Sequence, residues 1–378
     1  MRAFLPAGLL CAALAGPAAA SGYSLLNAGI AARSHSDADE TIRLMTLAIA
    51  APDLPSRFLP VAYLDRGEAY DDKKQYDAAI VDFTNCLRLR PDSFYCYSQR
   101  ASSYGEEKKY DAELADISAA IQLRPDLAIG YLMRGAVNAD ANKVDAAVAD
   151  FTTAISIEPD SMPAYFLRGE IYRLQLKFDA AQSDLDKVVD LNPKDPDGYF
   201  ARALIYQDRG KLRDALDDLE TGLKYEPGDF DGRLHAGLVE WELGRFDDAA
   251  VTFEQVVKIR PANAYGVLWL DIARLKAGNA DDDLLRNAAG LDGVKWPAPI
   301  IAVFLGKSLP GQAIKAANSG TPDIVQNQTC EADFYVGEWQ LLHRNADIAK
   351  PLLQAAAANC PHDFVELPAA VAELKRLS

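Results

Sequence analysis

The stretch YLDRGEAYDDKKQYDAAIVDFTNCLRLRP (63–91) decides the fold. Tyr63, Gly67 and Tyr70 stand at i, i+4 and i+7, the spacing of one buried helix face. A second apolar-periodic run starts near Tyr76 and stops before Pro91, because proline cannot continue a helix and pushes its predecessor out of the helical region. Two helices of about a dozen residues joined by a short turn fill such a segment.

The same punctuation returns at Pro125, Pro159, Pro193, Pro227 and Pro261, each 34 residues after the last. A fixed period of this size marks stacked supersecondary units. Small residues keep phase at Gly67, Ala101, Gly135, Gly169, Ala203 and Gly237, and tyrosines at Tyr63, Tyr97, Tyr131, Tyr165 and Tyr199. A second small column runs Ala79, Ala147, Ala181, Ala215 and Ala249, broken at Glu113. Four residues later comes a large apolar one: Phe83, Ile117, Phe151, Leu185, Leu219 and Phe253. The small positions let two helices approach, and the large residue fills the space between them.

In period and column identity, residues 60–263 resemble the tetratricopeptide repeat family, with six copies and no insertion. The resemblance implies an all-α fold, an α-α superhelix of about eight helical hairpins ending in a capping helix. Residues 21–59 read as a degenerate first hairpin. Residues 264–329 read as a degenerate helix (264–279) followed by an irregular helical insert, with two short helices in 295–318, the second entered through Ser308 and Pro310. Residues 330–378 read as a final hairpin with Gly337, Ala349 and Pro361 in phase, then a capping helix over 365–377 that covers the last apolar face.

Arg66 belongs to a column with Arg100, Arg134, Arg168 and Arg202. A matching aspartate stands sixteen residues on in each case: Asp82, Asp116, Asp150, Asp184 and Asp218. In the sixth copy both vanish together, leaving Ala236 and Thr252. The pattern predicts one ion pair between the two helices of each of five hairpins rather than an arginine ladder for an anionic ligand, since every arginine has its own carboxylate.

The N-terminus, MRAFLPAGLLCAALAGPAAASG, has a basic start, an apolar stretch and small residues before Ser21, which predicts a cleaved signal peptide over 1–20. Leu10 is too large for a lipidation signal at Cys11. The expected location is the periplasm or the exterior, with no membrane span. Four cysteines remain in the mature chain. Cys330 and Cys360 sit where antiparallel helices bring their ends together, which predicts a disulfide locking the last hairpin. Cys86 and Cys96 either form a second bridge or remain two buried thiols.

A net charge of −16 argues against nucleic acid as a partner, because neutralising phosphates needs a basic face. The four histidines are scattered, and no metal-protease, thiol-redox, serine-hydrolase or phosphate-loop motif occurs. The acidic run 279–283 lacks both the turn glycine and the bidentate glutamate of a calcium loop. No catalytic residue, cofactor or metal is expected. In a superhelix of this family the first helices line a concave groove, which implies a partner-binding column of Leu132, Phe166, Glu170, Arg173, Phe200, Gln207, Leu234 and Trp241. The first two repeats are acidic there and the later ones apolar and aromatic. The partner implied is a protein or peptide with aromatic or aliphatic anchors and a basic segment. The lysine and asparagine by which some family members clamp a C-terminal carboxylate are missing. The leader and the degenerate first hairpin also resemble bacterial envelope members of the NlpI-like type. The reading that follows is an exported, non-catalytic adaptor. Its alternatives are a self-assembling structural protein and an enzyme or metal-dependent module within 264–329.

Overall fold

The computed structural model describes residues 20–279, 283–362 and 364–378. The leader reading, apart from Ala20, and residues 280–282 of the acidic run lie outside that range. Among the described residues every regular element is helical, and the chain divides into two compact units at 164/165.

The first unit holds four antiparallel hairpins: α1 (Gly22–Ser34) with α2 (Ala38–Ala50), α3 (Leu59–Asp72) with α4 (Tyr76–Leu89), α5 (Phe94–Glu106) with α6 (Tyr110–Leu123), and α7 (Ala128–Asp140) with α8 (Val144–Ile157). In the second, α9 (Met162–Leu174), which begins just before the division, pairs with α10 (Phe178–Leu191). Then come α11 (Pro196–Asp208) with α12 (Leu212–Tyr225), and α13 (Phe230–Glu242) with α14 (Phe246–Ile259). Beyond these, α15 (Ala264–Lys276) is followed by short helices α16 (Asp283–Ala288), α17 (Ala298–Phe304) and α18 (Pro310–Ala317). Helices α19 (Pro322–Leu342) and α20 (Ala346–Asn359) form the last hairpin, and α21 (Glu366–Arg376) packs on α20 and also on α13. Each unit is thus an all-α solenoid of stacked helical hairpins.

The sequence placed Cys330 at the start of the last hairpin, but α19 begins at Pro322, eight residues earlier. Pro322 sits in its first turn, where the missing N–H costs nothing, and the buried face runs unbroken from Cys330 to Glu338. Both disulfides are present, Cys330–Cys360 between α19 and the end of α20 and Cys86–Cys96 between α4 and α5.

Helix approach in each hairpin is set by paired sizes. A Cβ added at Gly135 would stand 2.6 Å from a ring carbon of Phe151, and Gly67 and Gly237 meet Phe83 and Phe253 in the same way. Where the small residue is alanine, at Ala101 and Ala203, the facing residue is the smaller Ile117 or Leu219. Gly135→Ala should therefore destabilise by about 1–3 kcal/mol through overpacking. Gly169→Ala, facing Leu185 at 3.2 Å, should be near neutral, because helix propensity gains up to about 1 kcal/mol. Urea midpoints decide this: equal effects at the two positions would refute the size pairing.

The five arginines each donate to their aspartates across the hairpin. Arg66 Nε lies 2.7 Å from Asp82, and the pairs Arg100–Asp116, Arg134–Asp150, Arg168–Asp184 and Arg202–Asp218 close at 2.6–2.8 Å. Four of the guanidiniums also lie 5.7–5.9 Å from two tyrosine rings on their own helix, as Arg66 does with Tyr63 and Tyr70. In the third copy Asn138 replaces the second tyrosine and donates to Asp150 at 3.0 Å. The carboxylates are buried and the arginines half-buried, an arrangement that orients one helix on the other.

Candidate functional site

In the first unit, two acidic residues of α3 already have partners. Glu68 pairs with Arg33 and accepts from Gln99 Nε2 at 3.0 Å, and Asp71 accepts from Ser103 Oγ at 2.8 Å. Leu132 is half-buried against Ala128, Ala154 and Ala164.

The second unit differs. Phe166 and Glu170 on α9, Phe200, Ala201 and Leu204 on α11, and His235 on α13 line an open cavity of about 310 Å³. Its remaining walls include Asp197, Leu219, Asp229, Asp231 and Gly232. The volume lies at the small end of ligand sites, which run about 300–1,000 Å³. Phe200 forms the floor: a Cβ at Gly222 or Gly232 would lie 2.4 or 2.6 Å from its ring, so two glycines leave the slot that the ring occupies. Asp229 caps α13 by accepting from Gly232 N at 2.5 Å, which fixes the start of that helix at the cavity mouth.

Electrostatically the mouth is acidic. Arg173 stands 3.7 Å from Glu170 and 3.5 Å from Asp208, so one guanidinium serves two carboxylates. Burial raises the Glu170 carboxyl above the usual range while Arg173 pulls it down. Asp197 is raised as well, first by burial and then by Asp195 and Asp229. His235 is lowered by burial, which keeps its ring neutral near pH 7. Its Nδ1 is closed to solvent and has no hydrogen-bond partner.

Of the residues expected to line one groove, Phe166, Glu170 and Phe200 come together in this cavity. Gln207 instead donates to Glu242, whose carboxyl burial pushes up to about 7. Leu234 packs partly buried against the C-terminal core. Trp241 requires a correction: it is 0% exposed and presents nothing to a ligand. The Arg376 guanidinium of α21 lies 4.6 Å over its ring and donates to the last carbonyls of α13, Trp241 O and Glu242 O, at 3.4 and 3.1 Å. Trp269 and Phe334 pack on it at 5.3 and 6.0 Å. The C-terminal helix therefore occupies the place assigned to a partner at this repeat.

The polar lining residues missed by sequence reasoning are Asp197, Asp229, Asp231 and His235. The signal available was DFDGRLH (229–235), an N-cap followed by an acid and a histidine one turn apart on the same helix. In the irregular segment, Glu331 accepts from Tyr265 OH and Trp296 Nε1 at 2.8 and 2.7 Å, and Tyr335 OH donates to Glu366 at 3.0 Å. Lys276 lies 2.9 Å from Glu338 and 2.8 Å from Glu373. These partnered groups tie α15, α19 and α21 together. Among the described residues no group of three or more His, Cys, Asp or Glu is arranged to hold a metal ion, and no helix is long and apolar enough to cross a membrane.

Family models described as Tetratricopeptide repeat match residues 60–93, 132–196 and 200–264. A comparison with curated proteins gave no match. Among solved structures, a tetratricopeptide repeat protein from Parabacteroides merdae aligns at 15% identity and TM-score 0.52, covering 67% of this chain and 98% of its own. PilF of Pseudomonas aeruginosa aligns at 15% identity and TM-score 0.49, covering 56% and 96%. YrrB, described as having an unusual peptide-binding site, aligns at 16% identity and TM-score 0.39, covering 48% and 92%. The first of these likenesses is one of fold.

Proposed function

Because this chain is a tetratricopeptide-repeat protein, a class of protein-interaction scaffold, we propose that it is an exported, non-catalytic adaptor that binds a peptide segment of a partner in the cavity between α9, α11 and α13. The observation that carries the reading is the cavity itself: apolar walls from Phe166, Phe200 and Leu204, with carboxylates at the mouth. Such a surface favours an aliphatic or aromatic anchor next to a basic group. The disulfides support export, since bridges persist in oxidising compartments, and the leader sequence supports it independently.

Selection of random displayed peptides on the full chain tests the reading. It should enrich sequences that pair an apolar anchor with a basic residue. Leu204→Lys, which places a charge in the cavity from a half-buried position, should weaken the selected peptides about tenfold or more while helicity is unchanged. Failure to enrich any peptide, or binding indifferent to Leu204→Lys, would refute it.

A further inference from the structure

We propose that the α9–α11–α13 cavity is a subsite for one arginine side chain of the bound polypeptide, a claim that rests on the peptide-binding reading above. Charge comes first. Four carboxylates line the cavity, and Arg173, which pairs with Glu170 among them, is shared with Asp208 outside the lining. No ion pair among the described residues reaches Asp197 or Asp231. Asp197 instead has Asp195 and Asp229 as neighbours, a like-charge grouping that an incoming cation relieves.

The second observation is His235. Asp231 and Asp229 lie near enough to favour its charged form, yet burial prevails and the ring is neutral. Its Nδ1 is closed to solvent and has no partner, and the neutral ring lines the cavity beside the carboxylates without adding positive charge. A guanidinium supplies five N–H donors in a planar fork, enough to meet two carboxylates at once.

The walls then separate arginine from lysine. Phe166 and Phe200 offer aromatic surface, and a planar, weakly hydrated guanidinium stacks on such rings better than an ammonium does. This protein already uses that contact: Arg260 lies 4.0 Å over the Phe230 ring, and Arg376 lies 4.6 Å over Trp241. An arginine stem along Leu204 completes the apolar contact while its head meets the acids.

The test uses the full chain and the best peptide from the selection, made with arginine, lysine or citrulline at its basic position. Citrulline keeps the shape and removes the charge. Arginine should bind about tenfold or more tighter than citrulline, with lysine between them. Asp197→Asn combined with Asp231→Asn should weaken the arginine peptide by a similar factor and the citrulline peptide severalfold less, so that the preference for arginine shrinks. By NMR, the arginine peptide should lower the His235 pKa further, because a second cation joins Arg173 beside the ring. Equal binding of arginine and citrulline peptides would overturn the subsite. So would a selection that enriches peptides sensitive to Leu204→Lys but lacking arginine, and that outcome leaves the peptide-binding reading standing. No enriched peptide at all overturns both.

Discussion

Arg66→Met should lower stability by about 3 kcal/mol or more, well beyond the roughly 0–1 kcal/mol of an exposed pair. Asp82 is 1% exposed, and its two oxygens take Arg66 Nε and Nη2 at 2.7 and 2.8 Å. Removing the guanidinium leaves a buried carboxylate with neither water nor a counter-charge, and that desolvation is the source of the cost. The double variant Arg66→Met with Asp82→Leu should regain most of the loss, because an apolar pair of similar volume needs no compensation. Urea unfolding of the two variants decides between charge and packing. If the double is as unstable as the single, the guanidinium acts through its contacts with Tyr63, Tyr70 and Thr46. The same logic explains why arginine and aspartate disappear together at Ala236 and Thr252: either residue alone would be buried without its partner.

Replacing Cys330 and Cys360 by alanine should cost about 3.5 kcal/mol by loop closure over their 30-residue separation. The Cys86–Cys96 pair, ten residues apart, should cost about 2.5 kcal/mol when removed in the same way. Location sharpens the first effect. Cys330 and Cys360 join the core that holds Trp269, Phe334 and Leu353, and α21 packs on the α20 that the bridge secures. Reduction should therefore raise amide exchange in α20 and α21 before it does so in α3 or α5. Uniform exchange across both units, or a larger loss from the shorter loop, would contradict this order.

The repeat was legible because one period controls several independent columns at once. Proline, tyrosine, small and large positions all recur at 34 residues, so the hairpins and the sixteen-residue arginine–aspartate spacing follow from register alone. Two further columns stood in the sequence unread. The size match of Gly135 with Phe151 and of Ala101 with Ile117 is one. The other is the turn after each first helix, where Lys74, Lys108, Asn142, Leu176, Gly210, Gly244 and Gly278 share a positive φ at 34-residue intervals.

Contacts that break the period could not be read that way. Trp241 shares its column with Asp71 and Gly105, and periodicity alone assigns all three the same face. Its burial depends on Arg376, 135 residues away, and on a helix with no counterpart in the other repeats. The cavity was half legible for a related reason. Phe166 and Phe200 lie in one recognised column, whereas Asp197 and Asp231 enter from the first turns of α11 and α13 and His235 from the second turn of α13. Which side chains meet there depends on how three helices cross, and Gly222 and Gly232 set that crossing by admitting the Phe200 ring.

The most direct test of the central claim is site-specific photo-crosslinking with a photoreactive phenylalanine analogue at Leu204, inside the cavity, and at Glu220, exposed on α12. In cells that produce the protein, the probe at 204 should capture one defined partner that the probe at 220 does not. Mapping of the adduct should place the crosslink within a few residues of an arginine in the partner. Capture from 220 alone, or the same adducts from both positions, would contradict a partner seated in this cavity.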